Sequence, residues 1–262
     1  MEDRISVVIP AYNEEKTIAR TLDSLIRQSL PLHDIVVVNN NSNDRTSDIV
    51  QEYQESKDSN SAIHLVTEHT KGTGFACNTG FYFAIEELKA AIVSRTDADT
   101  VPVNDWNKAI AKYFSSHPAK QLVSGPSYAL RDEHYRSGDK FLWPLMHTAF
   151  RLGNVAITHS LFTARFAIGH NMAVRADAFQ KVGGFPNGSI DKSDEDVELS
   201  KRIYDFFGFD AMAYESEINV QTSIRRIRQV GYWGLVGYYW NPGKSPSQKR
   251  RIAMTGGQID KR

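Results

Sequence analysis

Cysteine occurs once in the 262 residues, at Cys77. An internal disulfide is therefore excluded, and a cysteine-based zinc site has no second ligand. The expected role for Cys77 is that of a small buried hydrophobe. Long apolar runs are also missing: none approaches the roughly 18 residues that a membrane span needs. The opening MEDRISVVIP lacks the basic, apolar, small-residue order of a signal peptide, so a cytoplasmic location is expected. No GxGxxG follows the first apolar run, and EHTKGTGFACN lacks the Gly-Lys-Ser/Thr ending of a P-loop, which removes the dinucleotide and Walker fingerprints. Internal repeats and low-complexity segments are absent, and no nucleic-acid partner is expected.

What is present fits an ordinary globular enzyme. With 41% hydrophobic and 24% charged residues, the chain can build one α/β catalytic domain with a modest appendage. Lysine plus arginine balance aspartate plus glutamate at 31 each, but unevenly along the chain. From Ser223 onward there are nine basic residues against one acid, Asp260. The expected division is a catalytic domain over 1–222 and a basic, aromatic-rich extension over 223–262, which contains GYWGLVGYYW. That extension either packs on the domain as an aromatic strip with a solvated end, or touches anionic lipid at a membrane face.

Periodicity gives the architecture. ISVVIP, DIVVVNN, AIHLVT and AAIVSRT are short β-branched runs of the kind buried on both faces of a parallel sheet. Helical patterns lie between them: Ile18, Leu22, Leu25 and Ile26; the segment SNDRTSDIVQEY; and a stretch from Gly72 to about Ala90 with Ala76, Gly80, Phe83, Ala84 and Leu88 inward. Trp106, Ile110, Tyr113 and Phe114 form a further stripe, QLVSGPSY reads as a strand, and Leu199, Ile203, Phe206 and Phe207 line a last helix in which Glu198 and Arg202 pair at i, i+4. Strands alternating with helices predict a parallel, doubly wound sheet, which binds ligands beyond the carboxyl ends of its strands. Three polar loops fall there: AYNEE, NNNSND and TDADT. Asn13 and Asn40 are expected as turn or capping residues.

The fourth strand delivers two aspartates one residue apart. A strand puts residues i and i+2 on the same face, so Asp97 and Asp99 are expected to aim both carboxylates at one spot just beyond the strand's end. Two converging anions call for a cation. A second acidic group, Asp194, Glu195, Asp196 and Glu198, opens the last helix. There Ser193 and Asp196 also have the spacing of a capping box.

Taken in order, ISVVIPAYNEEKTIARTLDSL, DIVVVNNNSNDRTSDI, KGTGFACNTGFYFA, RTDADTVP, GGFP and DEDVELSKRI resemble a non-processive family 2 glycosyltransferase of the GT-A fold, over roughly residues 4 to 207. The resemblance implies a mixed, mostly parallel sheet flanked by helices, with a Rossmann-like nucleotide-binding half and an acceptor-binding half. It also implies a single, metal-dependent, inverting transfer of a hexosyl group from a UDP-, GDP- or dTDP-sugar to an acceptor hydroxyl. By the same resemblance Mn²⁺ or Mg²⁺ sits on Asp99 with Asp97, and Asp196 is the general base with Glu195 beside it. The donor lies against Pro10, Tyr12, Glu14, Asn39, Asp44, Gly72, Asp97 and Asp99. Glu195, His170 and Trp106 face the acceptor.

Two departures from the family pattern stand out. Asn39 occupies the place where many relatives carry an aspartate that contacts uracil, and an amide donates as well as accepts. QTSIRR, at Gln221–Arg226, replaces the Gln-x-x-Arg-Trp motif of processive synthases; here Arg225 or Arg226 either reaches the diphosphate or serves packing and solvation. The aromatic and apolar stretches around 131–163, with the basic tail, tilt the expected acceptor towards a lipid-linked or amphipathic compound, with a saccharide also open. Two rival readings remain at this level: a haloacid-dehalogenase-type phosphatase with Asp97 as nucleophile, and a catalytically silent nucleotide-sugar binding protein.

Overall fold

The computed structural model describes residues 3–56, 61–145, 148, 168–186, 195–225, 227–229 and 231. Strand β1 (Ile5–Ala11), helix α1 (Ile18–Ile26), β2 (Asp34–Asn39), α2 (Thr46–Glu55), β3 (Ala62–Thr67), α3 (Thr73–Tyr82) and β4 (Ile92–Thr96) make the first half. The second comprises β5 (Thr100–Pro102), α4 (Trp106–Ser116), β6 (Leu122–Ser124), β7 (Ser127–Ala129), β8 (Asn171–Arg175), α5 (Ala176–Lys181), α6 (Glu195–Phe207), β9 (Met212–Tyr214) and β10 (Val220–Thr222). A seven-stranded sheet runs β3-β2-β1-β4-β8-β6-β9, and a three-stranded one runs β5-β10-β7. Strands β1 to β4 are parallel, while β8 is antiparallel to both β4 and β6.

The alternation of side chains along each strand divides the core. Ile5, Val7 and Ile9 of β1, with Ile35 and Val37 of β2, pack under α1 and α4. Val8, Val36 and Val38 point the other way, to Ala76, Cys77 and Phe81 of α3 and on to Phe179, Leu199 and Ile203. Burial on both faces is why these strands read as unbroken apolar runs. Helix α3 lies so close to the sheet that a Cβ on Gly80 would come within 2.4 Å of Val8 Cγ1 and 2.7 Å of Val38 Cγ2. Cys77 is fully buried, and burial pushes its thiol pKa up to about 12, so it stays a neutral hydrophobe.

Three expectations need correction. QLVSGPSY is not one strand: the Gly125-Pro126 step breaks it into β6 and β7, which join different sheets, because proline cannot donate to a ladder. The helix from Gly72 does not run evenly to Ala90. It ends at Tyr82 and passes into a π-helical turn, Phe83–Glu87, closed by Leu88 N–H donating to the Phe83 carbonyl at 3.3 Å. The wider turn shifts the periodicity, so Phe81 is buried while Phe83 and Leu88 are only partly covered. In α6, Leu199 and Ile203 face the core, but Phe206 is 61% exposed. The expected capping role of Ser193 and the aromatic strip after 231 lie outside the described residues.

Candidate active site

The parallel direction of β1, β2 and β4 brings the loops after them to one side of the sheet. The first two loops are knitted together by backbone donors. Glu14 N–H donates to Thr46 Oγ1 at 2.8 Å, Glu15 N–H to Asp44 Oδ2 at 3.0 Å, and Asn43 N–H to Asn13 Oδ1 at 2.8 Å. Asn13 sits at φ 56, a turn conformation that asparagine tolerates. Asp44 also accepts from the Thr46 hydroxyl and N–H. Burial alone would raise the Asp44 pKa, but these hydrogen bonds outweigh it and hold the carboxyl below its ordinary value. Asn39 Oδ1 accepts from Ser42 N–H at 3.0 Å. Tyr12 is 42% exposed at the mouth, with Lys71 Nζ 3.2 Å from its hydroxyl and 4.5 Å from its ring centroid. Pro10 is part-buried in β1 beside Val38.

The segment after β3 is held by Asn40 of the second loop. Asn40, 5% exposed, donates to the carbonyls of Glu68 and Thr70 and accepts the N–H of Gly72 at 2.8 Å. Gly72 therefore spends its N–H inside the protein, on Asn40.

The two aspartates do not share a strand face. Strand β4 stops at Thr96, and Thr100 N–H donates to the Asp97 carbonyl at 3.1 Å, so the pair occupies a tight turn between β4 and β5. Each finds its own cation. Asp97 Oδ1 lies 3.2 Å from Arg95 Nη2, while Asp99 Oδ2 lies 3.0 Å from Arg225 Nε. Arg225 also donates to both oxygens of Glu14. The Glu14 hydrogen bonds raise the Arg225 pKa above its ordinary value despite burial, with Asp99 and Asp97 adding to the rise. Arg225 arrives there because β10 pairs with β5, Thr222 opposite Thr100, and Ser223 N–H donates to the Asp99 carbonyl at 3.1 Å. The first residues of the expected extension thus stand in the crevice.

The second acidic group meets the first through Arg95. Glu195 Oε1 is 3.2 Å from Arg95 Nη2, and Asp196 accepts from Gly169 N–H at 2.8 Å and Val197 N–H at 2.9 Å. His170 follows Gly169 on the same turn, its carbonyl accepting from Thr96 Oγ1 at 3.1 Å. Trp106 is elsewhere. It is fully buried and donates its indole N–H to Asn171 Oδ1 at 2.9 Å, so it is a core residue and not an acceptor contact.

A glycosyl transferase family 2 model matches residues 6–183. The chain belongs to that family. It is 29% identical to the glycosyltransferase AglE of Haloferax volcanii over 96% of this chain and 86% of the relative. It is 27% identical to the probable glycosyltransferase YdaM of Bacillus subtilis over 77% of this chain, spanning 46% of that relative. Among solved structures, the mannosyltransferase PcManGT of Pyrobaculum calidifontis, in complex with GDP-Man and Mn²⁺, superposes with a TM-score of 0.62 at 23% identity, covering 98% of this chain and 70% of that one. Glucosyl-3-phosphoglycerate synthase of Mycobacterium tuberculosis superposes at 0.59 and 17% identity, covering 90% and 78%. These similarities establish a GT-A fold, and the chain is a glycosyltransferase.

Sequence reading of this family 2 chain missed Arg95. The signal existed: a lone cation in an apolar strand, at the same parity as the two aspartates that follow it. Arg225 was left undecided between two roles, because nothing local links a C-terminal arginine to a turn more than 120 residues earlier.

Proposed function

We propose that the chain transfers a hexosyl group once, with inversion and with a divalent metal, from a nucleotide sugar to an acceptor hydroxyl. The observation that carries this reading is that Asp99, at the β4–β5 turn, is matched by the Arg225 guanidinium, while Glu195, with Asp196 next to it, is tied to Asp97 through Arg95. The Arg225 guanidinium marks where positive charge is demanded, and the oxygen donors Asp99 and Asp97 suit Mg²⁺ or Mn²⁺. Asp99 and Asp97 are the residues that would hold the ion, and the neighbours solved with Mn²⁺ support such use. Such an ion, when bound, supplies Lewis-acid stabilisation of the departing diphosphate.

The protein's own groups account for the rest. Asp44 and Asn39 order the loops that receive the nucleoside beside Tyr12 and Pro10. Asp99 and Arg225 address the diphosphate. Asp196, fixed by two backbone N–H groups, takes the proton of the acceptor hydroxyl as its oxygen bonds to the anomeric carbon and the bond from that carbon to the phosphate oxygen breaks. Glu195 lines the acceptor side with His170. The PcManGT complex with GDP-Man and Mn²⁺ supports a donor of this class. A lipid-linked or saccharide acceptor, and peripheral contact with a cytoplasmic membrane face through the basic segment after 222, complete the proposal; among the described residues no helix is long and apolar enough to cross a membrane.

A thermal-shift panel of UDP-, GDP- and dTDP-sugars with and without Mn²⁺ tests this reading. Stabilisation by one donor that needs the metal and is lost in Asp99→Ala supports it, and a metal-independent shift that survives the substitution rejects it.

A further inference from the structure

Arg95 belongs to β4, and its side chain is 3% exposed. A guanidinium this deep is costly unless its donors are matched, yet Nε and Nη1 have no hydrogen-bond partner among the described residues. The one paired nitrogen, Nη2, carries two hydrogens and divides them between Asp97 Oδ1 and Glu195 Oε1, each at 3.2 Å. Those acids are 98 residues apart in sequence and belong to different elements, the β4–β5 turn and the first position of α6. Burial alone would lower the Arg95 pKa, but Cys77, Asp97, Glu195 and Asp196 around it keep it well above its ordinary value.

The guanidinium is also boxed in. The Phe185 ring lies 5.9 Å from Cζ. The backbone of Gly169 passes so near that a Cβ there would sit 2.9 Å from Cζ, Nη1 and Nη2. That same glycine donates its N–H to Asp196 Oδ2. One rigid group therefore touches the metal-side turn, the start of the acid-bearing helix, and the peptide that holds the proposed base.

We propose that Arg95 is a positioning residue for glycosyl transfer, holding the donor-side Asp97 and the acceptor-side Glu195 at a fixed spacing so that a change at one is felt at the other. The inference rests on the donor and metal reading above and adds a coupling to it. A guanidinium kept only for packing or charge balance would stabilise the fold without linking affinity at one acid to chemistry at the other.

The test is calorimetric binding of UDP, GDP and dTDP to the full chain with Mn²⁺, with melting temperatures measured alongside. Glu195→Gln is expected to weaken nucleotide binding about fivefold or more, and to have no further effect in an Arg95→Met background. Gly169→Ala keeps every charge but pushes the guanidinium aside, and is expected to weaken binding in the same direction. If Arg95→Met does not fold, Glu195→Gln and Gly169→Ala decide. Wild-type affinity in both of these, or an effect of Glu195→Gln equally large without Arg95, overturns the coupling, as do melting temperatures that fall while the folded protein's affinity stays put. A wild-type chain that binds none of the three nucleotides with Mn²⁺ overturns the donor reading itself, which is a different failure.

Discussion

The half of the molecule up to β4 and the half after it are built on different principles. Strands β1 to β4 are five to seven residues long, pair in parallel, and are joined by helices that follow directly in sequence. After β4 the strands β5, β6, β7, β9 and β10 have three residues each, and their partners lie far away: β5 with β10, β6 with β8 and β9. The first half presents loops that organise one another through backbone donors. Among its described residues the second is joined by buried polar links across the chain, among them Trp106 to Asn171 and Thr100 Oγ1 to Thr222 Oγ1 at 2.9 Å. The proposed donor side is built from loops close in sequence; the proposed acceptor side is assembled across the chain.

The sharpest way to break this comparison is at the proposed base. Asp196→Asn is expected to cut transfer by about 10²–10⁴-fold in a steady-state assay of nucleoside diphosphate release, with Mn²⁺-dependent nucleotide binding retained. Loss of nucleotide binding instead would merge the two halves into one site. Next comes the core of the second half: Trp106→Ala should cost about 3–5 kcal/mol of stability by denaturant unfolding, while the folded protein keeps its nucleotide affinity. If affinity falls and stability does not, Trp106 faces a ligand after all.

Arg225 tests the seam between the halves. With Arg225→Ala, Asp99 loses its internal cation, so Mn²⁺ without nucleotide should bind about fivefold more tightly, read by the paramagnetic signal of free Mn²⁺. Unchanged metal affinity would show that Asp99 is not where the ion goes. The smallest effect concerns the donor loops. Because the Asp44 pKa is depressed below 3.8 in the folded state, its contribution is fully present above that value and is lost as pH falls through the lower, folded one. A melting-temperature profile should therefore show a steeper acid decline below about pH 4 for the wild type than for Asp44→Asn.

Legibility followed the same division. Ile5–Ala11, Asp34–Asn39, Ala62–Thr67 and Ile92–Thr96 could be read because a strand covered on both faces is apolar at every position, and because each is followed by a patterned helix. The break of QLVSGPSY at Gly125-Pro126 was marked by the residues themselves but was read through. NMAVR, which becomes β8, carries nothing that announces an antiparallel strand inserted between β4 and β6, since its side chains need only be small or apolar in either direction. At the site, the acidic residues were visible as types. Their partners were not, and the assumption that Asp97 and Asp99 share a face failed because the strand ends one residue before them.

Side-chain character and spacing were enough to set the family, the alternating α/β order, the buried thiol and the two acidic groups, because these depend on patterns within a few turns of chain. Which cation meets which carboxylate was decided only by the folded molecule. The register of β10 on β5 carries Arg225 to Asp99, and the approach of α6 to β4 places Glu195 on Arg95. Both are pairings across about 100 residues or more, and their electrostatic logic exists only once the sheet has closed around them.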